Sequence, residues 1–465
     1  MHITMDIRPV SAEQPIHFIG VGGSSMSGLA VMLHRLGHRV SGSDREESAN
    51  LQVVRACGVP VTVGHRATNL GEDTRVVVTT PGIAPDNPEL AEARRRGLTV
   101  VDRADVLAGI MDRHTTGIAV AGTHGKTTTT SLTVEALTAA GLDPAASLGT
   151  RVTPEGGNYR LGHGDHFVAE ACEYHRNFLR LSPRIAVVLN IEAEHSDYFT
   201  GLDDVLAAFR DFTHRVRPGG VLIVSADCPR ARDLTVGEGR TRVSFGTAAD
   251  ADYRAEALTW HDGRPRFTVT YRGEELGELA PRLLGRHNVA NVLAAVAAGH
   301  QAGLTLDRMR AGLERFGGAP RRVEYKGTRN GVRVFDDIAC HPNEIAATMQ
   351  AIRGSAPGGR SLVVLRPNSF TRVRDFMHQY ADCFTGRETV VVTDIYRARD
   401  TETYGLSSLD LVRAMRESGR DVRYTKEPAA IKELASASLR DGDVLVTIGP
   451  GDIGSLGEAW LAEET

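Results

Sequence analysis

Short apolar runs rich in Val and Ile recur along the chain, separated by longer stretches in which apolar positions fall at helical spacing. The first set is IHFIG, HRVSG and VVVTTPG. A second comprises IAVAGT, HFVAE, IAVVLN and VLIVSAD, and a third, beyond Gly317, comprises VRVFDD, SLVVLRP, TVVVTDIY and VLVTIGPGD. Such runs read as strands buried on both faces, and intervening stretches such as HPNEIAATMQAIR read as the crossover helices of parallel sheets. The predicted fold class is α/β in three blocks. Polar DRHTTG at 112–117 and Gly/Pro-rich FGGAPRR at 316–322 mark the seams, giving expected domains 1–113, 114–319 and 320–465. From about 240 to 282 the spacing changes to alternation, in RVSFG and RFTVTYRG, with Asp262-Gly263 and Arg272-Gly273 at turn positions. This predicts a small antiparallel insertion within the middle block.

Composition narrows the function classes. Lys plus Arg total 54 against 58 for Asp plus Glu, a net charge of -4, which argues against a dedicated binder of nucleic acid or anionic membrane. Charged ligands must then be held by local sites. The cysteines at 57, 172, 228, 340 and 383 form no CxxC pair, so neither a disulfide framework nor a structural zinc site is expected. The low-charge stretch at 292–299 is too short to span a bilayer, and MHITMDIRPVSAEQP has no apolar core behind a basic start. A cytoplasmic protein is expected.

Three clusters carry candidate chemistry. IGVGGSSMSGLA, residues 19–30, follows a strand and opens a helix, with Asp44 at the end of the next strand. Gly20, Gly22 and Gly23 let backbone N–H groups approach an anion, and Asp44 offers an acceptor to a ribose or base. The third glycine of the dinucleotide fingerprint is Ser25, so a pyrophosphate of NAD, one of another nucleotide, and a packing turn all remain open. The second cluster, AVAGTHGKTTTTSL, also joins a strand to a helix. Lys126 supplies charge for β and γ phosphates, Thr127 a hydroxyl for Mg²⁺, and Gly122 and Gly125 clearance for backbone donors. The common P-loop spacing fails at Val120, which leaves the tighter GTHGKTTT form. In the third, EACEYHRNF and LNIEAEHSDYF, Glu170 and His195 lie past apolar strands, suited to Mg²⁺ near a γ-phosphate. Glu173 is the alternative to Glu170, and a capping Glu with a surface His is the plainer reading.

Further along, GRHNVANVLAAVAAG puts Asn288 and Asn291 at the head of an apolar helix, as adenine partners or as a cap. Arg322 and Asp337 suit phosphate and ribose, or an ion pair across a domain seam.

This ordered set of motifs, with VSGSD, RRVEYKG, FDDIACHPNEI, DIYRARDTETYG and IGPGDIG, resembles the Mur ligases over nearly the full chain, and among them those acting on UDP-N-acetylmuramate. The resemblance implies a Rossmann-like N-terminal domain, a central P-loop-type ATPase domain and a Rossmann-like C-terminal domain. It implies ATP-dependent joining of an amino acid to the carboxylate of UDP-N-acetylmuramate, or a related carboxylate, through an acyl phosphate. ATP and Mg²⁺ would be the cofactors, with Gly122, Thr123, Gly125, Lys126, Thr127, Thr128, Asn288, Arg322 and Asp337 around ATP. Lys126, Glu170 and His195 would be catalytic, with Thr127 and Glu170 holding one Mg²⁺ and His195 a second. Gly22, Gly23, Ser24, Ser25, Met26, Ser43, Asp44 and Thr80 would take the UDP-sugar. Ile338, Cys340, His341, Asn368 and Arg372 would take the amino acid.

The chain also departs from the family. Where the family usually reads DDYAHHPTE, residues 336–344 read DDIACHPNE; where it has QPH, residues 366–368 read RPN; Glu194 replaces an Asp and Pro450 an Ala. Ile338, Cys340 and Asn368 predict a changed amine pocket, and the alternative is a paralogue of specialised metabolism that joins another amino acid or carboxylate. A nicotinamide-dependent oxidoreductase would explain the first glycine loop but not Lys126, Thr127 and Glu170. A catalytically silent homologue would bind the UDP-sugar without turnover.

Overall fold

The computed structural model describes residues 14–150, 157–398, 400 and 402–463. Most of the N-terminal stretch read above for a targeting signal, residues 1–13, lies outside them. Three sheets follow one another along the chain.

The first is fully parallel, in the order β3-β2-β1-β4-β5, from β1 (Ile16–Ile19), β2 (Val40–Asp44), β3 (Val61–Val63), β4 (Val76–Thr79) and β5 (Thr99–Asp102). All four residues of β1 are buried, as a central parallel strand requires.

The second sheet is built from β6 (Thr116–Ala121), β7 (Ala145–Ser147), β8 (Tyr159–Arg160), β9 (His166–Glu170), β10 (Ile185–Val188), β11 (Val221–Ser225), β12 (Thr241–Gly246), β13 (Tyr253–His261), β14 (Arg264–Tyr271) and β15 (Glu274–Leu279). Its order is β15-β14-β13-β12-β11-β10-β6-β9-β7-β8. This corrects the expected insertion. β12 runs parallel to β11, and within 240–282 only β13, β14 and β15 pair antiparallel, extending the same sheet. Asp262-Gly263 and Arg272-Gly273 do make the turns, with φ of 49°, 75°, 51° and 85°, the left-handed pairs that suit two-residue hairpins.

The third sheet, β16-β17-β21-β18-β19-β20, comprises β16 (Glu324–Arg329), β17 (Val332–Asp337), β18 (Ser361–Leu365), β19 (Glu388–Val392), β20 (Asp421–Tyr424) and β21 (Val444–Ile448). Only the β16–β17 pair is antiparallel.

The helix Lys126–Ala139 opens with four threonines, poor helix formers, and is held by packing instead. It lies against the helices Arg286–Gln301 and Leu306–Arg315, the latter so close that a Cβ on Gly312 would fall 2.2 Å from the Glu135 carbonyl oxygen. One continuous apolar core joins the first sheet to the second, through Met26 and Leu29 of the helix Ser24–Arg35 and Tyr159 of β8. Among the described residues no helix is long and apolar enough to cross a membrane.

Candidate nucleotide and amino-acid site

Backbone geometry builds the phosphate loop. Gly125 caps the helix Lys126–Ala139 at φ 83°, and a Cβ there would stand 2.6 Å from Asn291 Oδ1; at Gly122, φ 142°, it would press on Leu189. Both positions therefore demand glycine. The loop is strapped to the segment after β10: Thr123 N–H donates to Asn190 O, His124 N–H to Asn190 Oδ1, and Glu192 N–H to Thr123 Oγ1. Beside it lies a cavity of ≈ 260 Å³ where Gly125, Thr127, Thr128, Asn288, Arg322 and Asp337 meet. Six residues predicted around ATP, drawn from two sheets, thus share one wall.

The polar groups of that wall are already oriented. Asn288 donates to Leu284 O and accepts from Asn291 Nδ2, while Asn291 Oδ1 accepts from Thr129. Asp337 accepts from the N–H groups of Val323 and Ala339 and from Thr348 Oγ1. Burial raises its pKa to about 6 against the opposing pull of Arg322 and those donors.

Lys126 faces the other side of the loop. Its Nζ donates to Gly122 O and Thr123 O and pairs with Glu173 at 2.9 Å. Burial alone would raise the Glu173 pKa, but Lys126 and His195 hold it at about 2. Glu173 thereby bridges Lys126 and His195, whose Nε2 lies 3.7 Å away. Glu170 instead joins Thr127 and the Gly149 N–H, and burial raises its pKa. Of the residues expected to hold two Mg²⁺ ions, Thr127 and Glu170 touch each other, and His195 lies beside Glu173. A hydroxyl and two carboxylates around a lysine are hard oxygen donors of the kind Mg²⁺ prefers. His195 holds φ 58°, a strained conformation of the sort found at functional sites.

Sequence reasoning gave no role to His124, Glu192 and Glu344, although all three stand inside the quoted motifs. His124 Nδ1 lies 3.0 Å from Glu344 and Nε2 3.2 Å from Glu192, which also accepts from Asn343. Burial lowers the imidazole pKa, yet Glu344 and Glu192 raise it to about 9. This bridge ties the phosphate loop to the third sheet's first helix, Pro342–Ser355. Because the folded value lies above the ordinary 6.5, its stabilisation is complete below pH 6.5 and is lost as pH rises through about 9. Melting of the nucleotide-free protein from pH 6.5 to 9 should therefore show a fall that His124→Gln lacks. Parallel curves would remove the bridge from the account.

A second, wider cleft of ≈ 840 Å³ is lined by residues from all three blocks, including Ser25, His195, Glu194, Asn368 and Arg372. Arg372 pairs with Glu194, both largely buried. Its Nε and Asn368 Oδ1 are buried without hydrogen-bond partners among the described residues. Ile338, Cys340 and His341 do not line this cleft. Cys340 is tucked against Asn368 and the Ile338 carbonyl, with burial pushing its thiol up to about 12. His341 caps the helix Pro342–Ser355 and lies 3.7 Å from Glu192, at the phosphate-loop side.

In the first block Gly22 N–H donates to Asp44 at 2.7 Å, so Asp44 does face the glycine loop, where Gly23 precedes the helix of Ser24, Ser25 and Met26. Ser43 meets the loop through its backbone, its carbonyl accepting from the Gly20 and Val21 N–H groups, while its fully buried hydroxyl donates to Glu89. Thr80 is half-buried past the end of β4, its carbonyl accepting from Ile83.

Comparison with known proteins follows the order of these blocks. Family models match residues 15–115 (Mur ligase family, catalytic domain), 120–299 (Mur ligase middle domain) and 321–451 (Mur ligase, glutamate ligase domain). The UDP-N-acetylmuramate--L-alanine ligase of Agathobacter rectalis is 39% identical over 447 residues, 96% of this chain and 97% of that one. Its counterpart in Mesorhizobium japonicum is 41% identical over 447 residues, covering 94% and 95%. The crystal structure of UDP-N-acetylmuramate-alanine ligase from Thermotoga maritima superposes with a TM-score of 0.80 at 25% identity, covering 96% of this chain and 98% of that one. A MurF ligase from Thermotoga maritima, solved in complex with ADP, shares the fold at a TM-score of 0.64 and 14% identity, over 91% and 94% of the two chains.

Proposed function

The chain belongs to the Mur ligase family, and from that premise we propose that it joins L-alanine to the carboxylate of UDP-N-acetylmuramate. The reaction consumes ATP, releases ADP and phosphate, and makes a peptidoglycan precursor. One observation carries the reading. The loop bearing Lys126 borders a cavity of ≈ 260 Å³ and is linked, through Glu173 and His195, to a cleft where residues of all three blocks meet. A reaction of nucleotide, sugar and amino acid needs that convergence. The blocks 1–113, 114–319 and 320–465 then serve the UDP-sugar, ATP and the amino acid respectively.

In this reading ATP lies along residues 122–128, its base toward Asn288 and its ribose toward Asp337, with Arg322 at the phosphates. Thr127 with Glu170, and His195 with Glu173, would hold Mg²⁺, which would supply positive charge to the phosphates. The substrate carboxylate attacks the γ-phosphorus and ADP leaves. Lys126, already aimed between two loop carbonyls, stabilises the phosphoryl charge as it moves. The amine then attacks the acyl carbon, and phosphate departs with one oxygen of the original carboxylate. Arg372 and Asn368, which line the three-block cleft, offer a guanidinium and an amide to an amino acid's carboxylate and ammonium.

No observation favours the alternative of another amino acid or carboxylate. Of the three departures expected to alter the amine pocket, only Asn368 lines the cleft. The test is omission. Phosphate release by the purified protein should need ATP, UDP-N-acetylmuramate and L-alanine together, with the alanyl amide identified by mass. A tenfold or greater preference in kcat/KM for some other amino acid would overturn the assignment of L-alanine.

A further inference from the structure

The first sheet holds a further cavity, at the edge opposite its glycine loop. β1 and β4 enter it by their first residues, Ile16 and Val76, with Val78 beside them. Val106 and Ile110 of the helix Arg103–Met111 roof it, and Leu33 closes one side. Its volume is ≈ 130 Å³, the size at which an apolar cavity admits a molecule about as large as benzene.

The lining is not apolar throughout. His38, 6% exposed, lines this space, and its Nδ1 is buried with no hydrogen-bond partner among the described residues. Leaving a buried nitrogen unsatisfied is costly, and a ligand able to pair with it recovers that cost. Arg113 stands at the mouth, exposed, and its guanidinium makes no ion pair or hydrogen bond among the described residues. The other charged residue at the rim, Asp112, is engaged by Arg217 of the central block at 2.5 Å. The free charge of the site is therefore positive. Burial, reinforced by Arg113, also lowers the His38 pKa, which favours a neutral ring with one N–H to donate.

We propose that this cavity binds a small apolar monocarboxylate. The hydrocarbon body, about four to six carbons, lies among Ile16, Leu33, Val76, Val78, Val106 and Ile110. The carboxylate sits between the Arg113 guanidinium and a His38 Nδ1–H. A neutral molecule of the same shape would fill the walls but leave Arg113 unused, and a polyanion would not desolvate. The site lies at the far end of the sheet from the loop proposed for the UDP-sugar. Arg113 precedes the start of β6 at Thr116 by three positions, so an occupant touches the joint between the first and central sheets. That position fits regulation rather than catalysis, and the inference does not depend on the ligase reading.

The test is calorimetric titration of the full-length protein with benzoate and with 3-methylbutanoate, using benzyl alcohol as the neutral control. Saturable binding of at least one carboxylate is expected, tighter than that of the alcohol. Arg113→Ala should weaken it at least ~10-fold while leaving the melting temperature and anion-free phosphate release unchanged. His38→Gln should weaken it as well. No saturable binding by either carboxylate, or equal affinity in the parent and Arg113→Ala, would overturn the proposal.

Discussion

Lys126→Ala is expected to slow phosphate release at least ~10³-fold, as loss of a charge aimed at a transferring phosphoryl group typically does. The variant also has a structural cost. Lys126 is the cation that Glu173 pairs with, and Glu173 is buried. Removing one partner of a buried pair leaves the other charge uncompensated, at about 3–5 kcal/mol, so the melting temperature should fall as well. Lys126→Arg separates the two effects. A guanidinium still neutralises Glu173 and keeps the fold, but it cannot replace a compact ammonium held between the Gly122 and Thr123 carbonyls. Its melting temperature should stay near that of the parent, with phosphate release still reduced ~10²-fold or more. Near-parental turnover in either folded variant would remove the phosphate loop from the mechanism.

The second large effect is expected at Arg372. Replacing it with Met should raise the KM for L-alanine ~10²-fold or more and leave the KM for ATP little changed, because its guanidinium lies in the three-block cleft and not in the nucleotide cavity. Glu194, left without its cation, would destabilise the single variant. The double variant Arg372→Met with Glu194→Gln should regain stability but not alanine affinity. Recovery of affinity in the double variant would mean that Arg372 serves only to neutralise Glu194. Steady-state kinetics with each substrate varied in turn, beside thermal melts, reads both outcomes.

The parts of this protein legible in its sequence are those encoded by contiguous residues. GTHGKTTT, with a strand before it and a helix after it, identified the phosphate loop, and buried Val/Ile runs identified the central strands. Edge strands such as β3 and β20 carried no such run, because most of their residues face solvent. Ser43 was expected beside Asp44 at the glycine loop. Adjacent strand residues point to opposite faces, so when Asp44 turns to the loop Ser43 turns into the interior, toward Glu89. The contacts that assemble the site span still greater distances. His124 meets Glu344 across 220 positions and Arg372 meets Glu194 across 178. No periodicity reports such pairs, since they depend on how the third block docks on the second. For the same reason Cys340, though it touches Asn368, does not line the cleft that Asn368 lines, and His341 lies toward Glu192.

In the proposed reaction the carboxylate is activated by phosphorylation before the amine attacks. The most direct measurement uses UDP-N-acetylmuramate labelled with ¹⁸O in its carboxylate, turned over with unlabelled ATP and L-alanine, with the released phosphate analysed by mass. An acyl phosphate requires that each phosphate formed carry one oxygen from the carboxylate, and the account predicts that transfer. Phosphate free of ¹⁸O, released alongside the amide product, would contradict it.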